Sequence, residues 1–198
     1  MLVGERMTPN PTLVTNRATV GQALELIEQH RVRHLPVVDD GENLVGIVSE
    51  KDLLRACHDL QVEQIMTTPV VTVTEYTALE EAARIMADHR ISSLPVVRHG
   101  RVVGLITETD LFRIFLELLG AREHGVRLTM LVPEEKGMLA TLTGEIARLG
   151  GNILALSTFL GEDPTNRLVT VKVADVPAGK LVAIMEALGM EIVDVREG

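Results

Sequence analysis

Apolar residues fall at i, i+3, i+4 and i+7 in Val20, Ala23, Leu24 and Ile27, and again in Leu79, Ala82, Ala83 and Met86. That period predicts a helix with one buried face at each place. Thr77 and Glu80 are spaced as a capping box for the second of these helices. After each helix the pattern shortens to two apolar runs, LPVV then LVGIV in one case and LPVV then VVGLI in the other. The glycine-containing turn between the runs predicts a hairpin. A further helix is expected to begin at the acid closing GIVSEKD (Gly46 to Asp52) and GLITETD (Gly104 to Asp110).

These two passages are copies of one unit. Met7-Thr8 recurs as Met66-Thr67 and HRVRHLPVV (His30 to Val38) as HRISSLPVV (His89 to Val97), at a spacing of 59 residues that drops to 58 after the turns DDGEN and RHGR. The units run over 7–57 and 66–119. A unit of roughly fifty residues with two short strands buries too little surface to stand alone, so the copies are expected to pack on each other. The cleft between them becomes the natural ligand site. The last helix, DLFRIFLELLG, carries Leu111, Phe112, Ile114, Phe115, Leu116, Leu118 and Leu119 on nearly every face. A helix apolar all round is expected to be buried all round, here against a second subunit, which predicts a homodimer.

Beyond Gly120 the pattern changes. Val126, Leu128, Met130 and Val132 alternate with polar residues as a strand, and the turn PEEKG leads into a helix with Leu139, Leu142, Ile146 and Leu149 on one face, closed by Gly150-Gly151. Asn152 to Phe159 reads as a strand, GEDPTN as a turn, and Val169, Val171 and Val173 as the inward face of a third strand. A helix with Leu181, Val182, Met185 and Leu188, ended by Gly189, precedes a last strand EIVDV. The order βαββαβ over 126–198 is the ferredoxin-like arrangement, so the whole chain is expected to be α/β (α+β).

Composition narrows the chemistry. Hydrophobic residues make up 46% and aromatic residues 2% with no Trp, so the core is aliphatic and a base-stacking platform is missing. A formal net charge of −9 also disfavours nucleic acid or an anionic membrane as partner. The lone Cys57 excludes a disulfide framework and is expected to be buried packing. The opening MLVGERM lacks the apolar core of a secretory signal, and no apolar run approaches the ~18 residues of a membrane span, which makes a cytoplasmic protein the expectation.

GIVSEKD and GLITETD each place a hydroxyl three residues before an acid where a strand turns into a helix. Ser49 with Asp52, or Thr107 with Asp110, can cap the helix. Capping boxes favour the longer Glu or Gln at that third position, yet both copies use Asp, and a hydroxyl with a carboxylate also suits a vicinal diol such as ribose. Both readings stand. Cations at a helix C-terminus complement its dipole, which accounts for His30, Arg31, His89 and Arg90. Arg33 and His34 lie beyond that helix, where they are placed to hold phosphate oxygens. Ser92 and Ser93 stand at the equivalent place without charge, so the two sites should differ in affinity.

Catalytic and metal chemistry finds little support. His89 lies near Ser92-Ser93 without an orienting acid or a glycine elbow, and the His30/His34 pair would ligate zinc only on a helix that Pro36 interrupts. No glycine-rich phosphate loop occurs. In the last third, Gly137 at the strand-to-helix turn and Asn152 entering the next strand could bind an amino acid, or could simply permit the turn and cap a loop.

The tandem units, each with a Met-Thr start, an HRxxxLPVV core and an S/TxxD end, resemble a pair of CBS domains. Val126 to Gly198, with PEEKGML and GGNI, resembles an ACT domain, and the order of the three is similar to the acetoin utilization protein B family. The resemblance implies adenosine derivatives (AMP, ADP, ATP or S-adenosylmethionine) between the repeats. Ser49 and Asp52, or Thr107 and Asp110, would hold ribose. Arg33 and His34, or Ser92 and Ser93, would approach phosphate, with Pro36 and Pro95 beside them. Thr12, Leu13, Val71 and Thr72 would line the adenine. The ACT resemblance implies an amino acid at a dimer interface near Gly137, Met138, Leu139 and Asn152, although Glu134 and Lys136 depart from the usual ACT turn. The expectation is a homodimeric, non-enzymatic sensor without a catalytic cofactor, using an adenine nucleotide as regulatory ligand and acting on a protein partner that the sequence does not name. The alternative is a dimeric scaffold with vestigial pockets and no nucleotide binding.

Overall fold

The computed structural model describes residues 1–161 and 165–198, so residues 162–164 of the expected GEDPTN turn lie outside the described residues. The chain divides into two units, Met1–Phe112 and Arg113–Gly198.

In the first unit, the period-3.6 stripes form α1 (Val20–His30) and α3 (Leu79–His89). Val20, Ala23 and Ile27, and likewise Leu79, Ala82 and Met86, are the residues they bury. Thr19 caps α1 reciprocally with Gln22: the Gln22 N–H donates to the Thr19 hydroxyl at 3.2 Å and the Thr19 N–H to Gln22 Oε1 at 2.9 Å. The expected Thr77–Glu80 box on α3 is not formed. Its N-cap is Ala78, which makes no side-chain cap, while the Thr77 hydroxyl instead accepts from the Thr74 N–H at 3.1 Å. The 59-residue offset sets Ala78 where Thr19 stands, and Thr77 is one residue too early.

Each expected hairpin is present. β3 (His34–Val38) pairs antiparallel with β4 (Leu44–Ser49), and β5 (Ser93–Arg98) with β6 (Arg101–Thr107). Two short strands unread in the sequence complete the sheets. β1 (Thr8–Pro9) joins β6 in the order β1-β6-β5, and β2 (Val14–Thr15) joins β3 in the order β2-β3-β4. β1 thus stands at the start of the first repeat and pairs with the second, Thr8 opposite Leu105 and Pro9 opposite Gly104. The exchange is mutual, because Thr67 at the start of the second repeat trades both backbone hydrogen bonds with Ile47 of the first, at 2.9 and 3.2 Å. Two repeats bound by exchanged segments satisfy edge groups that each alone would leave open. Cys57 is exposed, contrary to expectation, since it follows the short helix α2 (Glu50–Leu54) in a surface connection.

α4 (Glu108–Leu118) buries only Ile114 fully, and leaves Phe112 60%, Phe115 49% and Leu118 58% exposed. The helix expected to be buried all round is therefore not so within one chain, because it presents apolar residues on more faces than its own chain covers. The second unit then runs β7 (Val126–Pro133), α5 (Met138–Arg148), β8 (Asn152–Leu160), β9 (Asn166–Ala174), α6 (Ala178–Ala187) and β10 (Glu191–Glu197). The order is βαββαβ with a four-stranded antiparallel sheet β10-β7-β9-β8, the ferredoxin-like topology. Leu128, Met130, Val169, Val171 and Val173 pack with Leu142, Ile146, Leu181 and Met185 in its core. Leu139 is 40% exposed and Met138 packs on the core in its stead.

Candidate functional site

A cavity of about 260 Å³ lies in the first unit, just below the usual range for small-molecule sites. Both repeats build it. The first contributes His34, Ile47, Ser49 and Asp52, and the second contributes Thr67 and Pro69 to Val71 with Arg90 to Ser93. The exchange of leading segments explains this: the Thr67–Ile47 bridge lays the start of the second repeat along the first hairpin.

Ser49 and Asp52 form a complete cap. The Asp52 N–H donates to Ser49 Oγ at 3.3 Å, and Asp52 Oδ2 accepts from the Ser49 N–H at 3.1 Å and from its hydroxyl at 2.5 Å. Thr107 and Asp110 repeat the pattern at 3.3, 3.0 and 2.7 Å. The shorter Asp therefore closes the box that Glu or Gln usually closes. In Asp52 both bonds fall on Oδ2, and Asp52 also lines the cavity.

His34 stands opposite Ser49 in the β3–β4 ladder, and its Nε2 lies 2.8 Å from the hydroxyl of Ser92 in the other repeat. Burial holds its imidazole below the ordinary pKa. The carboxylates of Asp52, Glu108 and Glu50 act the other way, while Arg33 adds to the lowering.

The structure brings together His34, Ser49, Asp52, Val71, Ser92 and Ser93. It pairs the acid and hydroxyl of one repeat with the serines of the other. Arg33 is exposed and lines a separate depression beside Glu28, Arg31, Glu50 and His58. Thr107 and Asp110 lie at the other helix start, where Thr107 faces Ser93 in its own ladder. Thr12 and Leu13, between β1 and β2, precede Val71 and Thr72 by the repeat distance, and Thr72 follows the wall residue Val71. Pro36 and Pro95 are buried within β3 and β5, opposite Ile47 and Leu105. Sequence reasoning missed Ile47, Thr67, Pro69, Val70, Arg90 and Ile91 as wall residues. The recurrence of Met-Thr pointed at Thr67, and Arg90 had been accounted for by the helix dipole alone.

In the second unit a cavity of about 310 Å³ is lined by Gly137, Met138 and Leu139 with Glu134, Thr158 and Arg167, the last paired with Glu134. Gly137 has φ 94°, a left-handed conformation suited to glycine at the start of α5. Asn152 stands at the opposite end of β8, paired with Ala174, and does not line this cavity. Among the described residues no group of three or more His, Cys, Asp or Glu could hold a metal ion, and no helix is long and apolar enough to cross a membrane.

Two α/β repeats that exchange their leading segments and have a cavity at their junction define a tandem-repeat class of module. The CBS domain model matches residues 3–59 and again 62–117, and the chain belongs to the CBS-domain family. Among curated relatives, inosine-5′-monophosphate dehydrogenase of Nitrosopumilus maritimus is 38% identical over 109 residues, which are 54% of this chain and 23% of that protein. The matched region is thus about a quarter of such relatives, and it is their CBS portion. Among solved structures, a putative acetoin utilization protein (AcuB) from Vibrio cholerae is 35% identical with TM-score 0.56, over 62% of this chain and 96% of that one. The CBS domain pair of protein MJ0100, in complex with 5′-methylthioadenosine and S-adenosyl-L-methionine, is 32% identical with TM-score 0.56, over 58% of this chain and 99% of that one. CBSX2 in complex with AMP is 35% identical with TM-score 0.53, over 58% of this chain and 96% of that one.

Proposed function

We propose that the protein is a regulatory sensor that binds an adenosine derivative, of the class AMP, ADP, ATP or S-adenosylmethionine, in the cavity between its two CBS repeats. The observation that carries this reading is Asp52, whose carboxylate caps α2 through Oδ2 and which also lines a cavity walled by both repeats. A ribose diol donates to such an acceptor, and the hydroxyls of Ser49, Ser92 and Ser93 supply further polar partners. Val70, Val71 and Ile91 supply apolar wall for a base. The ligands named for MJ0100 and CBSX2 share an adenosine group, which supports the class. Thr107 and Asp110, with Thr12 and Leu13, would serve a second cleft. In this reading the protein is not an enzyme and uses no catalytic cofactor.

The ferredoxin-like unit is read as an ACT domain, whose cavity at Gly137, Met138 and Leu139 would take an amino acid, with Asn152 acting elsewhere or from a second chain. The exposed apolar residues of α4 support a homodimer, and the likeness to the Vibrio cholerae protein supports a role related to acetoin utilization. A thermal-shift panel of adenosine compounds and amino acids tests the reading. A bound ligand at ~100 times its Kd stabilises by ~2.7 kcal/mol. A response to adenosine compounds that is lost in Asp52→Ala supports the sensor. No response to any of them leaves the scaffold reading.

A further inference from the structure

Three residues with ionisable side chains line the inter-repeat cavity: Asp52, Arg90 and His34. With the imidazole neutral, one carboxylate and one guanidinium balance, which suits an uncharged nucleoside. With the imidazole protonated, the wall carries one excess positive charge, which suits a phosphate. His34 is held between the repeats rather than on the surface, with its Nε2 at 2.8 Å from Ser92 Oγ. The charged groups around it come from every element that meets it: Glu50 and Asp52 on α2, Glu108 at the start of α4, Arg33 on its own segment, and Arg90 after α3.

We propose that His34 is a proton-linked specificity residue, whose protonation on binding of an anionic 5′ group selects phosphorylated over uncharged adenosine compounds. The inference rests on the adenosine reading of the cavity and deepens it. An anion placed beside the imidazole favours its charged form, so phosphate binding takes up a proton, whereas adenosine or 5′-methylthioadenosine does not. Ser92 retains the hydrogen bond in both states, because a hydroxyl both donates and accepts. In the neutral imidazole Nε2 can be acceptor or donor, and in the charged one it donates.

The test is the ratio of AMP to adenosine affinity, measured by calorimetry on the full chain between about pH 5 and about pH 8. The ratio is expected to fall as pH rises, by about tenfold for each unit by which bound phosphate raises the imidazole pKa. In His34→Gln the part of that slope due to the imidazole disappears and only the part due to phosphate ionisation remains, whatever the variant does to affinity itself. The second ionisation of phosphate, near about 6, is common to both proteins, so the difference between them belongs to His34. Identical profiles in the two proteins overturn the proposal. Wild type alone gives a second reading: adenosine 5′-sulfate, whose charge does not titrate in this range, should bind with net proton uptake when compared in buffers of different ionisation heat, and no uptake overturns the proposal. If neither AMP nor adenosine binds at any pH, the adenosine reading fails as well. If both bind without linkage, only the assignment to His34 fails.

Discussion

Met66 of the second repeat lies against Gly46 of the first so closely that a Cβ on Gly46 would fall 2.2 Å from its sulfur and 2.7 Å from its Cγ. Met7 stands in the same relation to Gly104, at 2.1 Å from the sulfur. These two contacts are how the exchanged leading segments seat on the opposite hairpins.

Gly46→Ala is therefore expected to destabilise the protein by about 1–3 kcal/mol, the usual cost of overpacking. Gly104→Ala should cost less, because apart from the sulfur its nearest Met7 atoms stand at 3.0 Å or more. In chemical denaturation, Met66→Ala should offset part of the Gly46→Ala loss, with a coupling of about 0.5–3 kcal/mol. Additive losses would remove the contact as the cause.

Ser49 and Asp52 make a full cap as well as part of the cavity, so Asp52→Ala should lose about 1 kcal/mol without any ligand. Asp110→Ala should lose a similar amount, since its cap has the same geometry. Only Asp52→Ala should also abolish ligand-induced stabilisation from the cavity that Asp52 lines, which a thermal-shift comparison of the two variants measures.

Ala78 leaves the N-terminus of α3 without the side-chain cap that Thr19 gives α1. Ala78→Ser should raise stability by about 0.5–1 kcal/mol, and Thr19→Ala should lower it by about 1 kcal/mol. Both are read from shifts in the denaturation midpoint.

His34 sets an acid sensitivity in the ligand-free protein. Its folded-state pKa lies below the ordinary value because burial disfavours the charged imidazole, so the unfolded chain binds more protons in the window between the two values. Stability should fall as pH drops through about 6.5 and level off below the folded-state value. Thermal melts of wild type and His34→Gln across this window should diverge, with the variant flatter.

The sequence by itself determined the main helices and the hairpin strands, but not the short β1 and β2. Periods of 3.6 and 2, read at Val20 to Ile27, Leu79 to Met86 and Val169 to Val173, located helices and strands because burial of one face demands those spacings. The 59-residue recurrence determined that there are two copies, and the Ser49/Asp52 and Thr107/Asp110 pairs identified both helix starts. Cap and clamp were not separable there, and in the structure Asp52 both makes the cap through Oδ2 and lines the cavity. Only tertiary structure decided which repeat supplies each wall. The Thr67–Ile47 bridge joins residues 20 positions apart in the chain but in different copies, and it sets Asp52 beside Ser92 and Arg90 while Arg33, a near neighbour of His34 in sequence, turns to another depression. A local pattern records which face of an element is buried; which other element buries it depends on segments that pair across the repeat boundary, and no local period encodes that pairing.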